Sequence, residues 1–227
     1  NATKEKKYSG NLAVIVDDCG YDLAPVQKLS GLPIKMSFAI LPFKANSSAA
    51  LEVIQNNGKE AMLHLPMEPM DASAASESKM VTVAMTKDEV QAYTKEAVNS
   101  LPGIAGVNNH QGSKATSNRS TMKAVLEVLK GEGLFFIDSN TYSKSIGDQA
   151  AEELGVATAR NQKFLDNSSD VDDIKKNIWA AAEMADKNGV AVVICHARPN
   201  TAKAWSEVYS ALKDSGIKFV NASSIVH

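Results

Sequence analysis

The sequence is short of cysteine, of one-signed charge and of long apolar runs, and each shortage removes a class of protein. Two cysteines, Cys19 and Cys195, neither with a partner at CxxC spacing, cannot build a disulfide framework and read as small buried packing residues. The longest apolar stretches, such as "VAVVIC" ending at Cys195, are strand-sized and fall short of the roughly 18 to 20 residues of a membrane-spanning helix. With 24 basic against 26 acidic residues the net charge is −2, which leaves no electrostatic footprint for nucleic acid or an anionic membrane. No internal repeat and no linker divides the chain. Its 227 residues suffice for one domain with a sizeable core.

The chain opens on Asn1, and "NATKEKKYSG" is polar and lysine-bearing. Residues 1–10 are expected to be a disordered or tag-derived tail, with any export signal already out of view, and residues 11–227 a single domain.

What is present in quantity is alternation. Apolar segments recur as "LAVIVDD", "KMSFAIL", "EAMLHLP", "IAGVNN", "LFFIDS", a weaker "ATARNQKFL", "VAVVICH" and "IKFVNAS", each strand-sized. Helical spacing fills the gaps in "SSAALEVIQNN", "TKDEVQAYTKEAVNSL", "RSTMKAVLEVLKGEG", "SDVDDIKKNIWAAAEMADKNG" and "NTAKAWSEVYSALKDSG". Gly58, Gly103, Gly131, Gly189 and Gly216 are expected to end them. Strand and helix in strict succession predict a parallel sheet with right-handed crossovers, and about eight strands in this length favour a compact α/β barrel over a doubly wound sheet. The Ser/Ala-rich stretch over residues 69–85 is too long for an ordinary connection and is expected to overhang the functional face.

The polar residues of interest sit at strand ends. His64 closes "EAML", His110 closes "GVNN", His196 closes "VVIC", Asp138 closes "LFFI", and Asp17 with Asp18 closes "AVIV". The fourth histidine, His227, is the last residue and is expected to be frayed. Since C-terminal strand ends of a parallel barrel share one face, these groups are predicted to converge there. Two adjacent carboxylates ending a buried strand need compensation. One reading is a solvated turn, with Asp17 capping a helix and Gly20 at positive φ. The other is a cation: a carboxylate with two imidazoles suits Zn²⁺ or a neighbouring first-row metal. One aspartate would then bind the metal while the other takes a proton from water. His196 would protonate a leaving group, oriented by Asp138 or Asp166.

The blocks "IVDDCGY", "MLHLPMEP", "GVNNHQGSKAT", "FFIDSNT" and "VVICHARP", in this order from about Asn11 onward, resemble the divergent polysaccharide deacetylases, the YibQ-type branch of the NodB-like carbohydrate esterases. The resemblance implies a distorted (β/α) barrel of the NodB type and metal-dependent removal of acetyl groups from an N-acetylated saccharide, such as a peptidoglycan-derived one. It also implies a periplasmic or otherwise exported envelope protein. It makes Asp17 the catalytic base, Asp18 the metal-binding aspartate, His64 the first metal histidine and His196 the histidine that assists the leaving amine.

The sequence departs from the family where a second metal histidine is expected four residues after the first, because that place holds Glu68. The third ligand is then Glu68 or His110, with His110 the better donor to a zinc-like ion. The block of His110 replaces an Arg-Pro-rich motif, so Arg198 or Lys114 is left to partner the base. The altered set also allows a catalytically weak relative that only binds glycan or an envelope protein, and metal-activated water would equally serve ester or phosphoester hydrolysis. Methionines in "HLPMEPM" are expected to fill core gaps, and the sequons at Asn46, Asn118, Asn167 and Asn221 are read as chance.

Overall fold

The computed structural model describes residues 7–227. In chain order the elements are β1 (Asn11–Cys19), α1 (Leu23–Ser30), β2 (Ser37–Ile40), α2 (Ser47–Asn56), β3 (Glu60–Met67), α3 (Lys87–Asn99), β4 (Gly106–Gln111), α4 (Arg119–Glu132), β5 (Phe135–Asp138), α5 (Gly147–Leu154), β6 (Thr158–Arg160), β7 (Lys163–Phe164), α6 (Val171–Asn188), β8 (Val190–His196), α7 (Pro199–Asp214) and β9 (Lys218–Val220). The strands pair in the order β6-β5-β4-β3-β2-β1-β8-β7, all parallel, and β9 lies against the first residues of β1.

The sheet curls into a distorted barrel. Its two end strands, β6 and β7, are joined by only Asn161 and Gln162. The Asn161 N–H donates to Asp138 O on one side of the gap, and the Gln162 N–H donates to Val192 O on the other, both at 2.9 Å. The single weak strand expected over "ATARNQKFL" is therefore two short strands that split where the chain crosses from one edge of the sheet to the other.

Side chains alternate between two cores. Leu12, Val14, Val16, Phe38, Leu63, Leu65, Phe136 and Val193 pack outward against the helices. Ala13, Ile15, Ala39, Met62, Phe135, Ile137, Val192 and Ile194 fill the barrel interior, with Ala222 beneath them. A Cβ at Gly106 would meet the Phe135 ring at 2.3 Å, so the glycine leaves room for that ring inside the barrel.

Several expectations need correction. Helix α4 ends at Gly133, which holds the left-handed φ of 69°, and Gly131 lies one residue before the helix end. His227 is not frayed: its backbone N–H and C=O both pair with Thr158, helping to close the N-terminal mouth of the barrel. Of the expected tail, residues 1–6 lie outside the described residues. Tyr8 and Ser9 are tied down, the Tyr8 N–H to Ser215 O at 2.7 Å and the Ser9 N–H to Asp186 Oδ1 at 2.7 Å. Among the described residues no helix is long and apolar enough to cross a membrane.

Candidate metal centre

The site is the continuation of the barrel's inner rows. On β1 the inward side chains run Ala13, Ile15, Asp17; on β3, Met62 and His64; on β8, Val192, Ile194 and His196. On β4 the same parity gives Gly106, Asn108 and His110. Each row is apolar or small in the interior and turns polar at the C-terminal end, where the barrel opens.

Strict alternation would turn Asp18 outward to the helices. A bulge prevents this: the register of β1 on β2 steps from Val16↔Phe38 to Cys19↔Ile40, and Asp18 adopts a left-handed φ of 60°. The extra residue leaves Val16 and Cys19 both in the outer core and brings both carboxylates to the inner face. Aspartate tolerates this conformation where a bulky side chain would not. Gly20 does take a positive φ, but the helix that follows is capped by Asp22.

Asp18, His64 and His110 form one cluster of possible ligand atoms. Oδ1 of Asp18 lies 3.3 Å from Nε2 of His64 and 3.2 Å from Nδ1 of His110, and the two nitrogens are 3.0 Å apart. Tetrahedral coordination with bonds of about 2.0–2.1 Å sets ligand atoms about 3.3 Å apart, so the triangle has the dimensions of one face of such a site.

The proton inventory agrees with that reading. The Asp17 carboxylate accepts from Asn108 Nδ2 at 2.7 Å, which fixes the Asn108 amide so that its carbonyl faces His64 Nδ1, also at 2.7 Å. Nδ1 of His64 must then donate, leaving the Nε2 lone pair directed at the cluster. On His110, Nε2 is 2.8 Å from Ser76 Oγ, leaving Nδ1 for the cluster. Asp18 Oδ1 is buried and makes no hydrogen bond. A buried carboxylate oxygen facing two imidazole nitrogens calls for positive charge between them. Burial alone would push the Asp18 carboxyl up, but His110 and His64 outweigh it and hold it far below the usual range. Burial would likewise lower His64, yet Asp17 and then Asp18 raise it to about 8. The potential that retains a proton there would attract a cation equally well.

Asp17 stands apart from the triangle, with Oδ2 3.5 Å from His64 Nε2. It is buried, and burial, only partly offset by His64 and His196, raises its pKa. A carboxylate so placed is poised to take a proton. Facing it in the β1–β8 pairing is His196, whose Nδ1 is 2.8 Å from Asp166 Oδ1. Asp166 is itself held by the His196 N–H at 2.8 Å and by Thr201 Oγ1 at 2.6 Å. Burial disfavours charge on both partners, but the contact prevails, raising His196 and lowering Asp166. Phe164 stacks beside the imidazole, with centroids 6.0 Å apart and planes inclined by 13°. Both arms open on a cleft of about 350 Å³, also lined by Asn109, Ser139 and Arg198.

Of the alternatives open in the sequence, Asp166 and not Asp138 orients His196. Asp138 has the parity of Phe136, on the outer face, and its carboxylate accepts from Ser145 Oγ at 2.6 Å and from the Asn140 N–H at 2.8 Å. Glu68 is likewise outside the cluster: it pairs with Lys114 at 2.7 Å and accepts from the Val83 N–H at 2.8 Å, pinning the long 69–85 segment. That occupies Lys114. Arg198 lines the cleft but donates to Asp166 O at 3.2 Å, and the partner of Asp17 is Asn108. Through Ser76 the long segment does reach over the site. Met67 is core, whereas Met70 is exposed. Sequence reasoning missed Asn108 and Ser76. Two consecutive asparagines in "GVNNH" were the available signal, since a buried strand position that is polar needs a partner.

The fold is a NodB-like α/β barrel, curled and parallel, with a two-His, one-Asp cluster at its mouth. The sequence profile of the divergent polysaccharide deacetylases matches residues 14–226, and the chain belongs to that family. It is 33% identical to the uncharacterized protein YibQ of Escherichia coli K12, over 96% of this chain and 68% of that one. Among solved structures it is similar to an uncharacterized protein of Agrobacterium tumefaciens C58, with a TM-score of 0.91 at 18% identity, covering 96% of this chain and 90% of that one. The catalytic domain of a peptidoglycan N-acetylglucosamine deacetylase from Eubacterium rectale ATCC 33656 shares the fold at a TM-score of 0.59 and 12% identity, covering 100% and 97%. So does a mutant CE4-family pseudoenzyme with restored enzymatic activity, at 0.56 and 12%, covering 96% and 67%.

Proposed function

We propose that this chain is a divalent-metal hydrolase that removes acetyl groups from an N-acetylated saccharide of the bacterial envelope. The observation that carries the reading is the Asp18–His64–His110 triangle with two separate proton-handling groups beside it, Asp17 and the Asp166–His196 pair. Asp18, His64 and His110 would hold the ion, and a set of two imidazoles and one carboxylate suits Zn²⁺. Bound there, the ion supplies Lewis acidity, making water a nucleophile at neutral pH and polarising a carbonyl.

The remaining work falls to the chain's own groups. Asp17 accepts the proton of the water that attacks the acetamide carbon. Asn108 keeps the carboxylate aimed. His196, held protonated by Asp166, delivers a proton to the nitrogen as the C–N bond breaks, so that the amine leaves neutral. Family membership supports a saccharide as substrate, and a periplasmic or otherwise exported location is part of the same proposal.

A second reading, a relative that binds glycan without turning it over, is favoured by one observation. The second imidazole comes from His110 on β4 rather than from the position of Glu68, where the family's usual histidine would stand. Metal analysis of protein purified without added zinc, alongside acetate release from chitooligosaccharides, tests both readings. The hydrolase reading expects one metal per chain and acetate. Metal and saccharide binding without acetate would establish the second reading, and protein that takes up no metal would remove the first.

A further inference from the structure

Among the described residues, the large apolar side chains left exposed are Tyr21, Phe43, Met70 and Val190. Three of the four follow β1, β2 and β3 and so stand at the barrel mouth, while Val190 begins β8 at the opposite end. Tyr21 is 45% exposed and Phe43 48%. Phe43 has a left-handed φ of 62°, an outlier for a bulky side chain and a form of strain that clusters at functional sites.

Both rings are fixed despite their exposure. The Tyr21 hydroxyl hydrogen-bonds to buried Glu77, which also pairs with Lys44, and Lys44 Nζ lies 5.0 Å from the Tyr21 centroid. Phe43 packs on Tyr93 with centroids 6.3 Å apart, and Lys79 Nζ lies 5.3 Å from its centroid. The anchor is continuous with the metal cluster: Ser76 touches His110 at 2.8 Å, and the next residue, Glu77, holds Tyr21.

We propose that Tyr21 and Phe43 form a stacking subsite that extends the cleft and takes a neighbouring sugar ring of the same saccharide chain. The proposal rests on the saccharide reading above. A pyranose presents a flat C–H face to an aromatic ring and hydroxyls at its rim, chemistry that an exposed ring with an ammonium group over one of its faces, Lys44 at Tyr21 and Lys79 at Phe43, can meet. An ammonium group lies 5.0 Å from the Tyr21 centroid and another 5.3 Å from that of Phe43, so neither ring belongs to the charge-free apolar patch a protein partner would need.

Calorimetry with N-acetylglucosamine and its di- to pentasaccharides on the metal-loaded full chain tests the subsite. Wild-type affinity should climb with chain length, and Tyr21→Ala and Phe43→Ala should each weaken the tetrasaccharide about tenfold while leaving monosaccharide binding and metal content unchanged. Tyr21→Phe, which keeps the ring, should retain most of the affinity. Tyr21→Leu, which keeps apolar bulk alone, should not. Equal length dependence in wild type and the alanine variants would overturn the subsite even if acetate is released. Length dependence lost in the variants would uphold it even if no acetate appears. A wild type that binds none of these saccharides would also overturn it.

Discussion

Asn108 donates to Oδ1 of Asp17 at 2.7 Å, reaching from β4 to β1 across the barrel mouth. Its carbonyl holds Nδ1 of His64 at the same distance, so one uncharged side chain aims the proposed base and sets the tautomer of a proposed ligand. Asn108→Ala should therefore reduce zinc affinity and turnover together, each by about 10- to 100-fold, the usual cost of losing an outer-shell partner. Asn108→Asp places a carboxylate against Asp17 and should fare worse. Zinc titration and acetate release read both effects, and wild-type values in Asn108→Ala would remove the bridge from the mechanism.

His64→Ala and His110→Ala should each lose stoichiometric metal while still folding, since both side chains stand at the mouth and not among the interior packing. Glu68→Gln should keep its metal, because Glu68 is bound to Lys114 and to the Val83 N–H. Its expected effect lies elsewhere: faster amide exchange over residues 70–84, as the segment loses its pin. Metal lost from Glu68→Gln alone would return Glu68 to the ligand set.

What could be read from the chain alone follows from the physics of its strands. Three internal histidines and an Asp pair at strand ends point to one face because a parallel barrel leaves them no other, and all of them do open on the same cleft. Asp138 misled for the same reason. Strands buried on both faces are apolar at odd and even positions alike, so nothing in "LFFID" says which parity looks inward. The bulge at Asp18 was equally invisible, because it is set by the pairing of β1 with β2 and not by the local run of residues. The crossing at Asn161 and Gln162 depends on closure of the whole sheet, which no window of seven or eight residues records.

The two aspartates should separate by experiment. Asp18→Asn exchanges the carboxylate oxygen that faces both imidazoles for an amide and should lower zinc affinity strongly, by about 100-fold or more. Asp17→Asn should retain zinc and lose about 10²- to 10⁴-fold in turnover, because an amide cannot accept the proton from water. Zinc lost from Asp17→Asn and kept by Asp18→Asn would reverse the roles.

The Asp166–His196 pair makes a prediction whose sign is fixed by linkage. His196 is raised above its ordinary 6.5, so its stabilising charge is present below that value and is lost as pH climbs through the raised folded-state pKa. Asp166 is lowered below 3.8, so its contribution is present above that value and is lost as pH falls through the lowered one. The pair therefore stabilises most between about pH 4 and pH 6.5. In Asp166→Asn the His196 resonance should titrate at lower pH than in wild type, and the stability difference between the two proteins should be greatest inside that window. An unchanged His196 midpoint would show that the carboxylate at 2.8 Å does not hold the proton, and His196 would then lose its place as the group that protonates the leaving amine.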